Sequence, residues 1–99
     1  MKVLISREAF DDLSDGVEFY NEQEKGAGVY FWRCVRADID SLAELGGIHA
    51  RPFGRHHRMI CSKHPYAVFY DIENDCVVVK AVLDCRRRPV WIVRRLKKR

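Results

Sequence analysis

Six basic side chains lie within a short stretch in the middle of the chain: Arg51, Arg55, His56, His57, Arg58 and Lys63. They surround a run of residues that we predict to be a β-strand. Alternate side chains of a strand point the same way, so Arg58 shares a face with His56, and His57 shares the other face with Arg55. Arginine and lysine bind phosphate and carboxylate groups, and histidine transfers protons near neutral pH. The cluster therefore predicts contact with a phosphate backbone or with an acidic peptide segment.

A second basic set follows the last predicted core strand. Arg86, Arg87 and Arg88 precede Trp91, and no acidic residue occurs after Asp84. The chain ends with further basic residues, namely Arg94, Arg95, Lys97, Lys98 and Arg99. Brought together on a sheet, the two basic sets predict a cationic groove with an aromatic ring at its edge. We interpret Trp91 as a core anchor, with base stacking as the alternative.

The charge is distributed unevenly between the two halves of the chain. Residues 1–48 carry five Lys/Arg and ten Asp/Glu, a net charge of −5, whereas residues 49–99 carry thirteen and four, a net charge of +9. This asymmetry predicts a polyanionic or acidic partner for the second half. Five acids of the first predicted helix are assigned to its solvent face: Asp11, Asp12, Asp15, Glu18 and Glu22.

Several other chemistries are not indicated by the sequence. The glycines form neither a dinucleotide fingerprint nor a P-loop, and no serine lies in a nucleophile elbow. The four cysteines, Cys34, Cys61, Cys76 and Cys85, lack the paired close spacing of a structural zinc site. We therefore expect buried free thiols in strands, with no metal and no cofactor.

The hydrophobic pattern predicts an α+β fold. Met1–Ile5 is predicted to form a strand, and Ser6 is predicted to cap a helix that runs to about Lys25. Its apolar stripe is Ala9, Phe10, Leu13, Val17 and Tyr20. A second helix is predicted from Val29 to Leu45, with the stripe Trp32, Val35, Ile39 and Leu42. Together the two helices form an αα-hairpin.

Three extended runs follow the helical hairpin. They are His56–Cys61, Tyr66–Glu73 and Cys76–Leu83, the last two joined by Asn74-Asp75, and they predict an antiparallel meander that Met1–Ile5 joins. The Val77–Val79 run suits a central strand. Val90–Val93 docks as a short helix or strand before a basic tail that starts at about residue 86.

The length of 99 residues fits a single domain spanning residues 1–99. The apolar stretches are too short for a membrane-spanning helix, and the N-terminus becomes polar too early for a signal peptide. We therefore expect a cytoplasmic protein without a membrane partner.

The ordered sequence blocks resemble the RelE/ParE family of toxins from bacterial type II toxin–antitoxin modules. The first blocks are Ala9-x-x-Asp12-Leu13, Phe19-Tyr20-x-x-Gln23 and Gly26-x-Gly28-x-x-Phe31. The later blocks are Gly54-x-x-x-Arg58, Pro65–Tyr70 and a long block from Val79 to Trp91. The family's helices packed on a small antiparallel sheet agree with the fold predicted from the pattern.

This resemblance implies a growth-inhibiting toxin that is neutralised by a cognate antitoxin with an acidic, amphipathic C-terminal segment. The implied antitoxin contacts are Arg55, Arg58, Arg86, Arg94 and Arg95. Phe19-Tyr20-x-x-Gln23 and the Arg-Arg-x-Pro-x-Trp ending look more like the ParE branch, whose members poison DNA gyrase. The residues expected to bind that target are Arg58, Arg86, Arg87, Arg88 and Trp91.

The alternative is a RelE-type endoribonuclease that cleaves mRNA on the ribosome. At the position that matches the catalytic tyrosine of well-known RelE-type members, this chain has Trp91, which has no hydroxyl group. Attack by a 2′-hydroxyl needs a base, an acid and a cationic clamp. The candidates for these roles are Arg58, His56, His57 and Arg87, and cleavage would require one of the histidines His56, His57 and His64 to act. We therefore expect a non-enzymatic toxin. A non-toxic nucleic-acid-binding module is a third interpretation.

Overall fold

The computed structural model describes residues 1–99. Its elements are β1 (Lys2–Ile5), α1 (Arg7–Gln23), α2 (Ala27–Leu45), β2 (His57–Ile60), β3 (Tyr66–Glu73), β4 (Cys76–Asp84) and α3 (Pro89–Lys97). Ser6 caps α1 as predicted, because its side chain accepts a hydrogen bond from the backbone N–H of Ala9. The second helix begins at Ala27 rather than Val29, after Gly26 adopts a left-handed conformation.

The four strands form one sheet in the order β1-β4-β3-β2. The meander β2-β3-β4 is antiparallel, and β1 joins β4 as a parallel neighbour. Asn74 and Asp75 both have positive φ and form the two-residue hairpin turn between β3 and β4. The register shifts by one residue near Lys80, because Phe69 pairs with Ala81 while Tyr70 pairs with Val79. This bulge sets which β4 side chains face the helices at each end of the strand.

The helical hairpin packs on one face of the sheet and encloses the larger core cluster. Phe31 lies at its centre, and its ring rests over Gly16 of α1, where an added Cβ would lie 2.6 Å from Phe31 Cε2. This close approach explains a glycine in the middle of a helix. The predicted stripes are wrong in one member, because Phe10 is exposed. Trp32 is half-buried and packs against the core as predicted, and Phe31, which the stripe did not include, is fully buried.

The opposite face of the sheet is covered by α3. Ile92 and Leu96 of this helix are buried against a second apolar cluster that includes Ala67, Phe69 and Leu83. The prediction that Val90–Val93 docks as a short helix or strand is confirmed, and the helix is longer than predicted, because residues 89–97 form an amphipathic helix that packs on the sheet. None of the helices has the length and apolar composition needed to cross a membrane.

The cysteines differ from their predicted positions. All four are free thiols, but only Cys61 is buried, and Cys34 lies in helix α2. Cys76 lies at the start of β4, whereas Cys61 and Cys85 each follow the end of a strand. The prediction assumed that each cysteine is buried because cysteine is hydrophobic. A small side chain is, however, also accommodated at half-buried positions. No three His, Cys, Asp or Glu side chains converge as metal ligands.

Candidate functional site

A groove lies between α1 and α3, beside the second half of β4. Strand β1 pairs with Cys76 to Val79, so the rest of β4 has no strand on that side. The volume of this α1–α3 groove is about 230 Å³. Its lining combines aromatic and charged side chains: Asp12, Asp15, Gly16, Phe19, Tyr66, Val82, Leu83, Asp84, Arg87, Trp91 and Arg95. The groove thus brings the end of the sheet, the first helix and the basic C-terminal helix together.

Trp91 stands at the rim of this groove. The ring is half-buried and packs against the second apolar cluster. The guanidinium carbon of Arg87 lies 4.5 Å from its ring centroid, and that of Arg95 lies 5.0 Å from it. Both distances fall within the range of cation–π attraction. Trp91 is therefore a partial core anchor that also holds two arginines at the groove.

Asp84 and Arg86 form a bidentate ion pair at the end of β4. Arg86 Nε and Nη2 donate to Asp84 Oδ1 and Oδ2 at 3.0 and 2.8 Å, and the Arg86 backbone N–H donates to Oδ1 at 2.9 Å. Hydrogen bonds from Arg86 hold the pKa of Asp84 below its usual range. Asp84 thus neutralises the charge of Arg86, although the Arg86 side chain is exposed.

The other cations near the groove remain free. The charged atoms of five exposed residues have no carboxylate within 4.0 Å, and these residues are Arg87, Arg88, Arg94, Lys97 and Lys98. Val90 and Val93 lie among them and are also exposed. The outer surface of α3 therefore offers unpaired positive charge together with apolar area, a combination that suits an acidic amphipathic segment.

Two tyrosine hydroxyls near the end of β4 stay protonated at neutral pH. Burial raises the pKa of Tyr66 to about 12, and burial likewise raises the pKa of Tyr20. Arg86 opposes both shifts but does not cancel them. A phenol with a raised pKa is a poor general base. Neither tyrosine therefore serves as a proton acceptor at neutral pH, and the acceptors that line the groove are the carboxylates of Asp12, Asp15 and Asp84.

Asp12 is not on the solvent face of α1, so its prediction is wrong. It is buried, and its Oδ2 accepts hydrogen bonds from the Val82 backbone N–H at 3.0 Å and from Arg99 Nη1 at 2.5 Å. Arg99 Nη1 also donates to the Lys80 carbonyl oxygen at 3.1 Å. These bonds satisfy backbone groups of β4 that face no strand. Asp12 therefore ties α1, β4 and the C-terminus together.

The basic cluster around β2 lies elsewhere. His56 is buried, and its Nδ1 lies 2.7 Å from Asp71 Oδ1. His57 stacks on Tyr70, and its Nδ1 lies 2.7 Å from the His49 carbonyl oxygen. Both rings are thus fixed by contacts within the fold. They line a separate polar cavity of about 460 Å³ together with Arg51, Arg55, Asp71, Ile72 and Glu73.

The structure does not bring the four candidate residues for cleavage, Arg58, His56, His57 and Arg87, together. His57 pairs with Tyr70, whereas Arg87 follows Asp84, which pairs with Tyr66 at the other end of β3. Four strand residues separate these positions by about 13 Å. Arg58 pairs with Phe69 between the two ends, on the face that α3 covers.

The arginines predicted to contact an antitoxin divide into the same two regions. Arg55 lines the cavity beside β2. Arg86 lies at the end of β4, and Arg94 and Arg95 lie on α3. Among the residues predicted to bind the target, Arg86, Arg87, Arg88 and Trp91 are consecutive or nearly so and lie together, whereas Arg58 is half-buried on β2.

Sequence reasoning missed Phe19 and Tyr66 as groove residues. Phe19 is exposed on a helix whose other outward residues are mostly acidic. Tyr66 begins a strand that opens with five buried residues, so the sequence pattern did not indicate that it lines a groove.

The sequence matches no protein-family model and no curated protein. The fold, however, is similar to that of a chain from the chromosomal ParDE TA system of P. aeruginosa, with a TM-score of 0.73. The match covers 83% of this chain and 92% of that chain, at 12% sequence identity. The α+β architecture implied by the family resemblance is therefore confirmed, and this chain has a ParE-like fold.

Proposed function

We propose that this chain is the toxin of a type II toxin–antitoxin module and acts in the cytoplasm. The single observation that carries the proposal is the fold shared with a ParDE chain over most of both molecules. The ordered sequence blocks support it independently, because they span nearly the whole chain. Fold alone does not imply function, so the charged surface at α3 supplies the second support.

The cognate antitoxin is proposed to bind through an acidic amphipathic segment. Its acidic side chains would pair with the free cations of α3, and its apolar side chains would cover Val90 and Val93. Aromatic anchors in the α1–α3 groove, Phe19 and Trp91, suit the centre of such an interface. Arg94 and Arg95 of α3 would then contact the same antitoxin segment. Arg55 and Arg58 would contact it only if the segment continued as far as β2.

DNA gyrase is the proposed target. The ParE-like sequence blocks favour it, and the separation of His56 and His57 from Arg87 disfavours a ribonuclease in which either of these two histidines acts. Asp71 contacts the ring of His56, and the His49 carbonyl oxygen contacts the ring of His57. Both histidines lie about half the length of β3 away from the end of the sheet that carries Arg87. A toxin that acts by binding needs no proton-transfer pair, and the exposed run from Arg86 to Arg88 with Trp91 is available for contact.

The first experiment is pulse-labelling of DNA and protein synthesis after this chain is induced in bacteria without an antitoxin. We expect DNA synthesis to fall first, and purified gyrase then to accumulate cleaved DNA in the presence of the chain. An early fall in protein synthesis would instead indicate mRNA cleavage. Normal growth with both syntheses unchanged would contradict the toxin proposal itself.

A pair of double variants tests the proposed contact surface. Arg87→Ala with Arg88→Ala should abolish growth arrest without unfolding the domain, because both side chains are exposed and form no ion pair. Arg7→Ala with Arg33→Ala is the matched control, since it removes the same charge from exposed positions in the first half. Equal toxicity of the two double variants would refute the assignment of the surface.

A genetic selection tests the proposed antitoxin. Genes that restore growth to bacteria producing this chain should encode a protein with an acidic segment.

A further inference from the structure

An exposed and a half-buried aromatic side chain lie next to each other on the outer surface of the helical hairpin. Phe10 of α1 is 53% exposed, and its ring centroid lies 6.1 Å from that of Trp32 on α2. Two open grooves, of about 440 and 350 Å³, lie on either side of this pair, and both are lined by Phe10 and Trp32. An aromatic ridge between two grooves is typical of a protein interaction surface. Nothing in the proposed function uses it.

The larger groove runs along α1. Its floor is formed by Phe10, Leu13, Val17 and Trp32, and its outer edge by Ser14, Glu18, Asn21 and Glu22. From Phe10 to Glu22 the groove is about 18 Å long, because a helix rises 1.5 Å per residue. This length matches about three turns of a second helix. All lining residues are helical, so the groove has no free backbone edge to pair with a strand.

The charge at this groove is negative. Residues 8–24 contain seven acidic residues and neither lysine nor arginine. Asp12 is buried and paired with Arg99, but Glu18 and Glu22 at the groove edge have no ion-pair partner. Unpaired carboxylates beside an apolar floor favour a partner that carries both positively charged and apolar side chains.

We propose that the groove formed by Phe10, Trp32, Glu18 and Glu22 binds a cationic amphipathic helix of a partner protein. Apolar side chains at i, i+3, i+4 and i+7 of that helix would fill the floor, and its lysines or arginines would face Glu18 and Glu22. The site lies on the opposite flank of α1 from the α1–α3 groove, because Asp12, Asp15 and Phe19 line one and Ser14 and Glu18 line the other. The cationic helix and an acidic antitoxin therefore bind at separate places.

A second copy of this chain is a poorer occupant. A symmetric contact across the Phe10–Trp32 ridge would place two acidic α1 helices against each other. Like charges in such a contact repel and oppose association. A cationic partner relieves this repulsion while covering the same apolar area.

The proposal is tested with two synthetic helical peptides that share leucines at i, i+3, i+4 and i+7 but carry lysine or glutamate elsewhere. The readout is the indole N–H resonance of Trp32 in the ¹⁵N-labelled full chain, with Trp91 as the internal reference. We expect the lysine peptide to shift Trp32 and leave Trp91 in place, and the glutamate peptide to leave Trp32 unchanged. Equal affinity of the two peptides, or no shift of Trp32 with either, would overturn the proposal.

Charge reversal at the groove gives the second arm. Glu18→Lys should weaken binding of the lysine peptide about threefold to tenfold, because the reversal removes one exposed ion pair and adds a repulsion of similar size. Glu44→Lys is the control, because Glu44 is exposed on the hairpin but does not line the groove. Equal weakening by both variants would show non-specific attraction and refute the site. A dimer that sediments without peptide and dissociates in Phe10→Ser would assign the ridge to self-association instead.

Discussion

Asp12 gives the sharpest test of the structure, because sequence reasoning and the structure place it in opposite environments. The residue is 5% exposed, and its carboxylate accepts hydrogen bonds from the Val82 backbone N–H and from both terminal nitrogens of Arg99. Asp12→Ala removes all three bonds. Asp15→Ala, one turn of helix later, removes an exposed carboxylate without an ion-pair partner.

The expected cost of Asp12→Ala is about 3 kcal/mol of unfolding free energy. Leaving the Val82 N–H without an acceptor costs about 1–3 kcal/mol. Breaking a buried ion pair on one side costs about 3–5 kcal/mol when the remaining charge is trapped. Arg99 is the last residue of the chain and can turn to solvent, so the ion-pair contribution falls below that range. For a domain of this size, 3 kcal/mol lowers the melting temperature by about 12–24 °C.

Urea denaturation of the wild type and four variants measures these effects. We expect Asp15→Ala to change the stability by less than about 0.5 kcal/mol. Arg99→Ala should also cost about 3 kcal/mol, because it leaves the buried Asp12 carboxylate without its cationic partner. The double variant Asp12→Ala with Arg99→Ala should be about as stable as Asp12→Ala alone, since the shared interaction is already lost. An Asp12→Ala cost as small as that of Asp15→Ala, or strict additivity of the two losses, would refute the buried contact.

Three further predictions follow from the core. Gly16→Ala should destabilise the fold by about 1–3 kcal/mol in urea denaturation, because its Cβ meets the Phe31 ring; unchanged stability would contradict that packing. Desolvation lowers the pKa of His49 and His64 below the ordinary value of 6.5. The unfolded chain then binds more protons, so stability should fall as the pH drops below about 6.5, and His64→Gln should flatten this slope. Burial raises the pKa of the Cys61 thiol to about 12, so iodoacetamide at pH 8 should label it only after unfolding, as mass spectrometry would detect.

Local patterns were sufficient for the elements of the fold. The Ser6 cap, the glycines after α1 and the Asn74-Asp75 turn each determine a local backbone conformation, and all three occur where the sequence predicts them. Alternating and valine-rich runs likewise identified the strands. Amphipathic periodicity was less reliable for individual residues. Phe10 and Phe31 are equally apolar, and only the packing of one helix against the other decides which of them is buried.

The sequence by itself determined the α+β class, the helical hairpin, the meander and the acidic and basic halves, because these depend on local periodicity and on residue counts. Only the tertiary structure decided which charges are free. Asp12 and Arg99 are 87 positions apart and meet because β1 ends at Ile5 and leaves backbone groups of β4 to be satisfied. The pairing in the sheet likewise separated the histidines of β2 from Arg87. Such long-range pairings depend on how the strands align, and neither spacing nor composition encodes that alignment.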